Sequence, residues 1–191
     1  FTETEYTLTV SASPIEGGSV IKNPDLAHYH YNDVVQLIAT ASAGWSFNSW
    51  NGDLTGSTNP ASITINGNMA ITAIFTQNQY TLTIIIVGSG SVDKDPEQTT
   101  YTYGTPVELT AVPTSGWSFM GWSGDLSGYV NPAIIIMDAN KTVTVTFTQN
   151  IYALTATTIG GGTVNLNSSG PYHYGDVVEL TAVPVIGWTF D

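Results

Sequence analysis

Apolar and polar residues alternate with a period of two along much of this chain, which is the pattern of half-buried β-strands. In Val143-Thr-Val-Thr-Phe147 the apolar side chains share one face and the threonines share the other. The same alternation predicts that Glu108 faces water, and that an inward set comprises Ile71, Ala73, Phe75, Val107, Leu109 and Ala111. No long stretch has helical periodicity, and Ser123 to Ser127 is the best place for one short helical turn.

This strand pattern occurs three times along the chain. Tyr6-Thr-Leu-Thr-Val returns at Tyr80 and Tyr152, and Trp45, Trp117 and Trp188 lie 72 and 71 residues apart. Internal repetition at such a period indicates a tandem array. We predict repeat 1 at residues 1–77, repeat 2 at 78–149 and an incomplete repeat 3 at 150–191, with Phe1–Glu5 belonging to a preceding joint. The chain is therefore interpreted as a window from a longer array, in which Phe1 is the last strand residue of an earlier repeat.

The joints between repeats carry no flexible linker. Phe75-Thr-Gln-Asn-Gln-Tyr80 and Phe147-Thr-Gln-Asn-Ile-Tyr152 each pass within a few residues from one predicted strand to the next. Short connections leave little freedom of movement, so we expect a semi-rigid rod rather than loosely tethered beads.

Composition narrows the possible partners. Fifteen acidic residues against three Lys or Arg residues give a formal net charge of -12, which disfavours nucleic acids and anionic membrane surfaces. The absence of Cys excludes disulfides, thiolate metal sites and cysteine nucleophiles. No apolar run approaches the ~18 residues of a membrane span, so no membrane insertion is expected in this segment.

The tryptophan phrase, which reads GWSFNSWNGDLTG from Gly44 and GWSFMGWSGDLSG from Gly116, has two interpretations. Large aromatic side chains fill the core of a small unit, or exposed rings stack on sugars. Its recurrence at a fixed place favours the core. Trp45 and Phe47 are predicted to share a strand face, and Trp50 is predicted to start the turn that follows.

Asp53 and Asp125 stand at matching places after that phrase. Each either caps a short helical turn or is a calcium ligand. One carboxylate per site and the lack of an Asp-x-Asp-x-Asp-Gly loop favour capping. His28 and His30 are predicted to be half-exposed strand residues. Because Thr102 replaces His30 and His173 in repeat 2, a metal or catalytic site kept in every unit is excluded.

No catalytic motif is present, so we predict that the chain is not an enzyme and has no catalytic, cofactor-binding or metal-binding residues. Gly160-Gly-Gly162 precedes a strand and indicates a turn. Glu108 and Glu179 occupy matching positions in repeats 2 and 3, but repeat 1 has Gln36 there. A catalytic pair of carboxylates built from this position is therefore disfavoured. A Lys–Asn isopeptide at Lys22 or Lys94, and glycosylation at Asn140 and Asn167, are weaker alternatives.

The ordered set Y-T-L-T-V, G-G-S-V, Y-x-Y-G-D-V-V-x-L, G-W-x-F-x-x-W-x-G-D-L, N-P and V-T-V-x-F resembles the divergent internalin-B-type B-repeat family, and is similar to the related Listeria–Bacteroides repeat. The resemblance covers essentially the whole chain. It implies small β-grasp-like units repeated along secreted and cell-surface proteins of bacteria and archaea, acting as spacers, adhesin stalks or partner-binding modules. It offers no catalytic residues to carry over.

We therefore expect a mainly β, tandem array at the cell surface or outside the cell, serving as a stalk, spacer or adhesin segment whose nearest partners are neighbouring repeats. One alternative is a carbohydrate-binding module that recognises surface glycans through an exposed row formed by Tyr29, Tyr101 and Tyr172. Another is a fibre subunit, in which the Phe1 to Val10 segment of another copy completes the third repeat by strand addition.

Overall fold

The computed structural model describes residues 2–191, so the strand end predicted at Phe1 lies outside the described residues. Strands dominate, and the mainly β class is confirmed. Residues 2–82, 98–106 and 136–140 form one compact unit, and residues 83–97, 107–135 and 141–191 form a second. The division therefore runs through repeat 2, and each predicted joint lies inside one unit.

Repeat 1 contains two three-stranded sheets. One has the order β1-β6-β4 and the other β2-β3-β5. Strand β1 pairs with β6 in parallel, and the β2–β3, β3–β5 and β4–β6 pairs are antiparallel. The strands are β1 (Leu8–Ser13), β2 (Gly18–Asn23), β3 (Val34–Ala41), β4 (Trp45–Gly52), β5 (Ala61–Thr64) and β6 (Met69–Gln77).

The core of repeat 1 lies between these sheets. Val35, Leu37 and Ala39 of β3 belong to one buried cluster with Ile71, Ala73 and Phe75 of β6, and the β6 residues point inward as the alternating pattern predicts. Two sheets that each bury one apolar face can close a core without a helix. The remaining members of the cluster are Leu8, Tyr29, Trp50, Ile63 and Ile65.

Repeat 2 follows the same plan, with sheet orders β12-β14-β8 and β13-β11-β9 and a short β7–β10 pair at its start. The predicted inward residues Val107, Leu109 and Ala111 are buried, and Glu108 is exposed. The strands are β7 (Gln79–Tyr80), β8 (Leu82–Val87), β9 (Gly90–Asp95), β10 (Tyr101–Thr102), β11 (Thr105–Pro113), β12 (Trp117–Gly124), β13 (Ala133–Met137) and β14 (Lys141–Gln149).

Repeat 3 keeps only part of this plan within residues 150–191. Its β15 (Gly162–Leu166) and β16 (Leu180–Pro184) form an antiparallel pair equivalent to β2 and β3. Gly160 and Gly161 form the bend that leads into β15, as their sequence predicts. The β-grasp-like detail expected of each repeat stays a prediction.

The helical turn predicted at Ser123 to Ser127 is wrong. Ser123 and Gly124 end strand β12, and the chain then bends. Trp122 exchanges both backbone hydrogen bonds with Gly128, at 2.8 and 3.2 Å, so the loop is closed by a β-bridge instead of by helical bonds. Within residues 2–191 the helical element is a single 3-10 turn at Ile15–Gly17.

Candidate functional site: the joints between repeats

The tryptophan phrase supplies core packing in the two full repeats. Trp50 and Trp122 are 3% and 5% exposed, and their indole N–H groups donate to the carbonyls of Thr58 and Val130, both at 2.9 Å. Trp45 and Trp117 are half-buried. The core interpretation therefore holds most strongly for Trp50 and its counterpart.

The prediction that Trp50 starts a turn is wrong, because a β-bulge lies ahead of it. Phe47 pairs with Phe75 and Ser49 with Ile74, which leaves Asn48 as an extra residue in β4. The extra residue restores Trp50 to the face of Phe47, and the two rings lie 5.0 Å apart. Phe47 also meets Phe75 edge-on at 6.0 Å. The same bulge occurs between Phe119 and Gly121.

Asp53 and Asp125 accept backbone hydrogen bonds, but from strands and not from a helical turn. Asp53 Oδ2 accepts from Ala70 N–H at 2.7 Å, and its own N–H donates to the Ala70 carbonyl at 3.1 Å. Asp125 and Thr142 make the equivalent pair at 2.6 and 2.9 Å. Each carboxylate thus fastens the loop after the tryptophan phrase to the first residues of β6 or β14.

The histidines lie beside carboxylates. His28 Nδ1 is 3.9 Å from Glu5, and the two ring nitrogens of His30 are 3.8 Å from Glu3 and 3.9 Å from Asp33. His173 stands in the same relation to Asp176 at 3.8 Å. Across residues 2–191, no three His, Asp or Glu side chains converge as metal ligands would.

The exposed tyrosine row predicted as a sugar platform is wrong. Tyr29 and Tyr101 are 0% and 1% exposed, and Tyr172 is half-buried. Tyr29 exchanges two backbone hydrogen bonds with Tyr6, and its hydroxyl donates to the Pro24 carbonyl at 2.9 Å. Each of these tyrosines pairs through its backbone with the tyrosine at the start of its repeat, and in the two full repeats its ring is buried.

The remaining candidates have structural partners. Lys22 Nζ lies 2.8 Å from Asp25, and Lys94 Nζ lies 2.9 Å from Glu97. Both amines therefore meet carboxylates. Asn140 Oδ1 accepts from Thr81 N–H at 2.9 Å, and Asn167 Oδ1 accepts from Glu179 N–H at 3.1 Å.

Each joint between repeats is held by an asparagine that the sequence reasoning did not single out. Asn78 N–H donates to the Gly44 carbonyl at 2.8 Å, and Asn78 Oδ1 accepts from the Ser46 hydroxyl at 2.7 Å. Asn150 makes the same two bonds with Gly116 and Ser118, at 2.7 and 2.6 Å. The available signal was the Thr-Gln-Asn triplet that both joints share.

A tyrosine of the next repeat closes each joint from the other side. Tyr103 lies against Gly44 so closely that a β-carbon added there would overlap the tyrosine side chain, and Tyr174 lies in the same way against Gly116. The backbone φ angles are +77° at Gly44 and +83° at Gly116. Glycine is required at both positions because the left-handed backbone and the close tyrosine each disfavour a side chain.

The asparagine, the glycine and the tyrosine together couple neighbouring repeats. At the first joint, residue 78 is bonded to the tryptophan phrase of repeat 1, and a side chain of repeat 2 lies on that phrase. The second joint reproduces every contact. Such an arrangement has no reactive group, and what it can do is restrict bending between units.

No curated protein matches this chain. No helix within residues 2–191 is long and apolar enough to span a membrane. The family model described as the divergent InlB B-repeat domain matches residues 6–79, 80–151 and 152–191. With three matches that together cover nearly every residue, the chain belongs to the divergent InlB B-repeat family.

Proposed function

We propose that this chain is a non-catalytic, extracellular spacer, a segment of a cell-surface stalk or adhesin. Repeats of this family are typically surface domains and are generally not enzymes. The observation that carries the proposal is the joint, which is built twice from the same contacts. A spacer needs repeats whose relative orientation is held, and contacts of this kind supply that restraint.

The surface chemistry suits this role. A formal net charge of -12 keeps neighbouring stalks apart by mutual repulsion and favours solubility. The outward faces of β6 and β14 carry threonines such as Thr76 and Thr148, which are polar without adding charge. These features support a segment that holds another domain away from a cell.

The fibre alternative meets an obstacle. Part of its donor segment, Leu8 to Val10, is already engaged within its own repeat, where it pairs with Met69 to Ile71. Donation to another copy requires those pairs to open. The spacer needs no such rearrangement, and we favour it for that reason.

The joint is tested by Gly44→Ala. We expect the added methyl group to displace Tyr103, so that the variant keeps its strands but loses the fixed orientation of repeats 1 and 2. Small-angle scattering of the wild type is expected to give an elongated particle, and the variant a broader distribution of dimensions. Circular dichroism and thermal unfolding report whether the units themselves remain folded.

Gly56→Ala is the matched control. It lies in the same repeat and also has a left-handed backbone, with φ +105°, but nothing lies within 4 Å of the added β-carbon. Both variants therefore carry backbone strain of about 1 kcal/mol, and only Gly44→Ala meets a tyrosine. Indistinguishable scattering from the two variants, or a compact wild-type particle, contradicts the proposal.

A further inference from the structure

The first long strand of repeat 1 lies directly beside its last strand. Strand β1 pairs in parallel with β6 over six residues, from Leu8 opposite Met69 to Ser13 opposite Ile74. Because the strands are parallel, the chain enters β1 and leaves β6 at opposite ends of this ladder. Strand β8 has the same neighbour, β14, in repeat 2.

This placement decides how tension acts on the repeat. A pull on the chain draws β1 in the direction of its start, and draws β6 the opposite way, toward Gln77. The strands are then sheared past each other, and their hydrogen bonds, which lie across the direction of pull, are loaded together. If the same two strands were pulled apart from one end, the bonds would break one after another.

The entry end of the ladder has an additional fastening. Asn68 Oδ1 accepts from the N–H of Thr7 at 2.9 Å and from its hydroxyl at 3.2 Å, and Met69 N–H donates to the Thr7 carbonyl at 2.9 Å. Repeat 2 places Asn140 on Thr81 in the same way, at 2.9 and 3.3 Å.

The ladder is also backed by the core. Leu8 of β1 and Ile71, Ala73 and Phe75 of β6 are buried in one cluster, so sliding the strands exposes apolar side chains to water. Farther along, the hydroxyls of Ser11 and Thr72 lie 3.0 Å apart. Sliding by one residue therefore breaks backbone bonds, side-chain bonds and packing at the same time.

We propose that the β1–β6 ladder, with its Asn68 fastening, is a shear clamp that makes repeat 1 resist tension along the chain, and that β8, β14 and Asn140 serve repeat 2 in the same way. The inference rests on the proposed function, because only a segment joined at both ends to other structures carries such a load. It assigns a mechanical role to Asn68 and Asn140 and identifies the direction in which the repeat is strong.

The clamp is tested by pulling one repeat in two directions. The chain has no cysteine, so introduced thiols provide unique sites for thiol attachment. Glu5→Cys with Gln77→Cys loads the ladder in shear, and Glu5→Cys with Asn66→Cys separates the same strands from their entry end. All three positions are exposed. In single-molecule force spectroscopy we expect a several-fold higher unfolding force for the first pair, and equal forces overturn the proposal.

Asn68→Ala tests the fastening, with Asn66→Ala as its control in the same turn. We expect Asn68→Ala to lower the force in the shear direction by more than its effect on equilibrium stability explains, while Asn66→Ala leaves the force unchanged. If Asn68→Ala leaves the force in the shear direction unchanged, the fastening has no mechanical role. These outcomes are independent of scattering from the joint variants, so the clamp and the spacer can fail separately.

Discussion

Repeats 1 and 3 have nearly the same sequence pattern and differ in how far their strands form. Leu37 and Leu180 occupy matching positions, yet Leu37 is 0% exposed and Leu180 is 53% exposed. Residues 154–158 repeat the pattern of β1 but are not assigned to a strand. In repeat 1 that strand is completed by β6, and no equivalent of β6 lies beside residues 154–158 in the part of the chain that the structure describes.

The comparison shows which elements form from residues that are near each other in the sequence. The Tyr–Tyr bridge opens both repeats, as Tyr6 with Tyr29 and as Tyr152 with Tyr172. The hairpin-like pair of β2 and β3 also persists, as β15 and β16. The core-closing strands β4, β5 and β6 come later in the repeat, so the burial of Leu37 depends on residues far away in sequence.

The largest expected effect is a difference in the loss of stability when each of the two matching leucines is replaced by alanine. Leu37→Ala should destabilise repeat 1 by about 2–5 kcal/mol, because it removes apolar contacts and leaves a cavity. Leu180→Ala should change stability by about 0.5 kcal/mol or less, since its side chain is already half in water. Urea denaturation, with hydrogen exchange to localise the unfolding, measures both. Equal losses would mean that Leu180 is buried in solution.

A smaller effect should be the same in both repeats. Asp33 Oδ2 accepts from His30 N–H, and Asp176 Oδ2 accepts from His173 N–H, each at 2.7 Å. Asp33→Ala and Asp176→Ala each remove one local hydrogen bond, which is partly buried at Asp33 and exposed at Asp176, at a cost of about 0.5–1.5 kcal/mol. We expect faster amide exchange at His30 and His173 by similar factors. A change at His30 alone would show that the turn in repeat 3 also depends on distant strands.

The smallest expected effect depends on pH and on a pair that repeat 3 lacks, since Leu166 stands where repeat 1 has Lys22. A hydrogen bond from Lys22 to Asp25 raises the pKa of Lys22 above its usual 10.5. The stabilisation is thus fully present below the unfolded-state pKa and is lost as pH rises through the folded-state pKa. Because Asp25 is exposed, the contribution is about 1 kcal/mol or less.

That pair is checked by comparing the unfolding free energies of the wild type and Lys22→Met between pH 8 and about pH 12, across the usual titration range of lysine. We expect a constant difference at the lower values that shrinks as the pH passes the raised pKa of Lys22. The Lys94–Glu97 pair is present in both proteins and cancels. A difference that grows with pH would contradict the assignment.

Much of this fold can be read from the sequence because its strands are short and alternate regularly. Val143, Val145 and Phe147 are buried as predicted, since period-two patterning decides which face of a strand meets the core. The family and the repeats could also be recognised from the sequence, because whole sequence motifs recur. The buried tyrosines were misassigned because an aromatic residue beside polar neighbours fits either a surface row or a bridge into the core.

The bulge and the joint were harder to predict. The spacing of Phe47 and Trp50 is odd for one strand face, and only the pairing with β6 shows that Asn48 is the extra residue. The Asn78–Gly44 bond joins residues that are distant in sequence, and no local pattern specifies it. Its only trace is the repetition of Asn78 as Asn150, which indicates a shared role without naming the partner.

The bulged position itself has a practical consequence. Asn48 and Met120 stand outside the pairing register, their side chains are exposed, and the two repeats place chemically unlike residues there. Neither the hydrogen-bond ladder nor the aromatic core constrains what this side chain is. A label attached to the side chain at this position should therefore disturb neither the strand pairing nor the aromatic core of repeats 1 and 2.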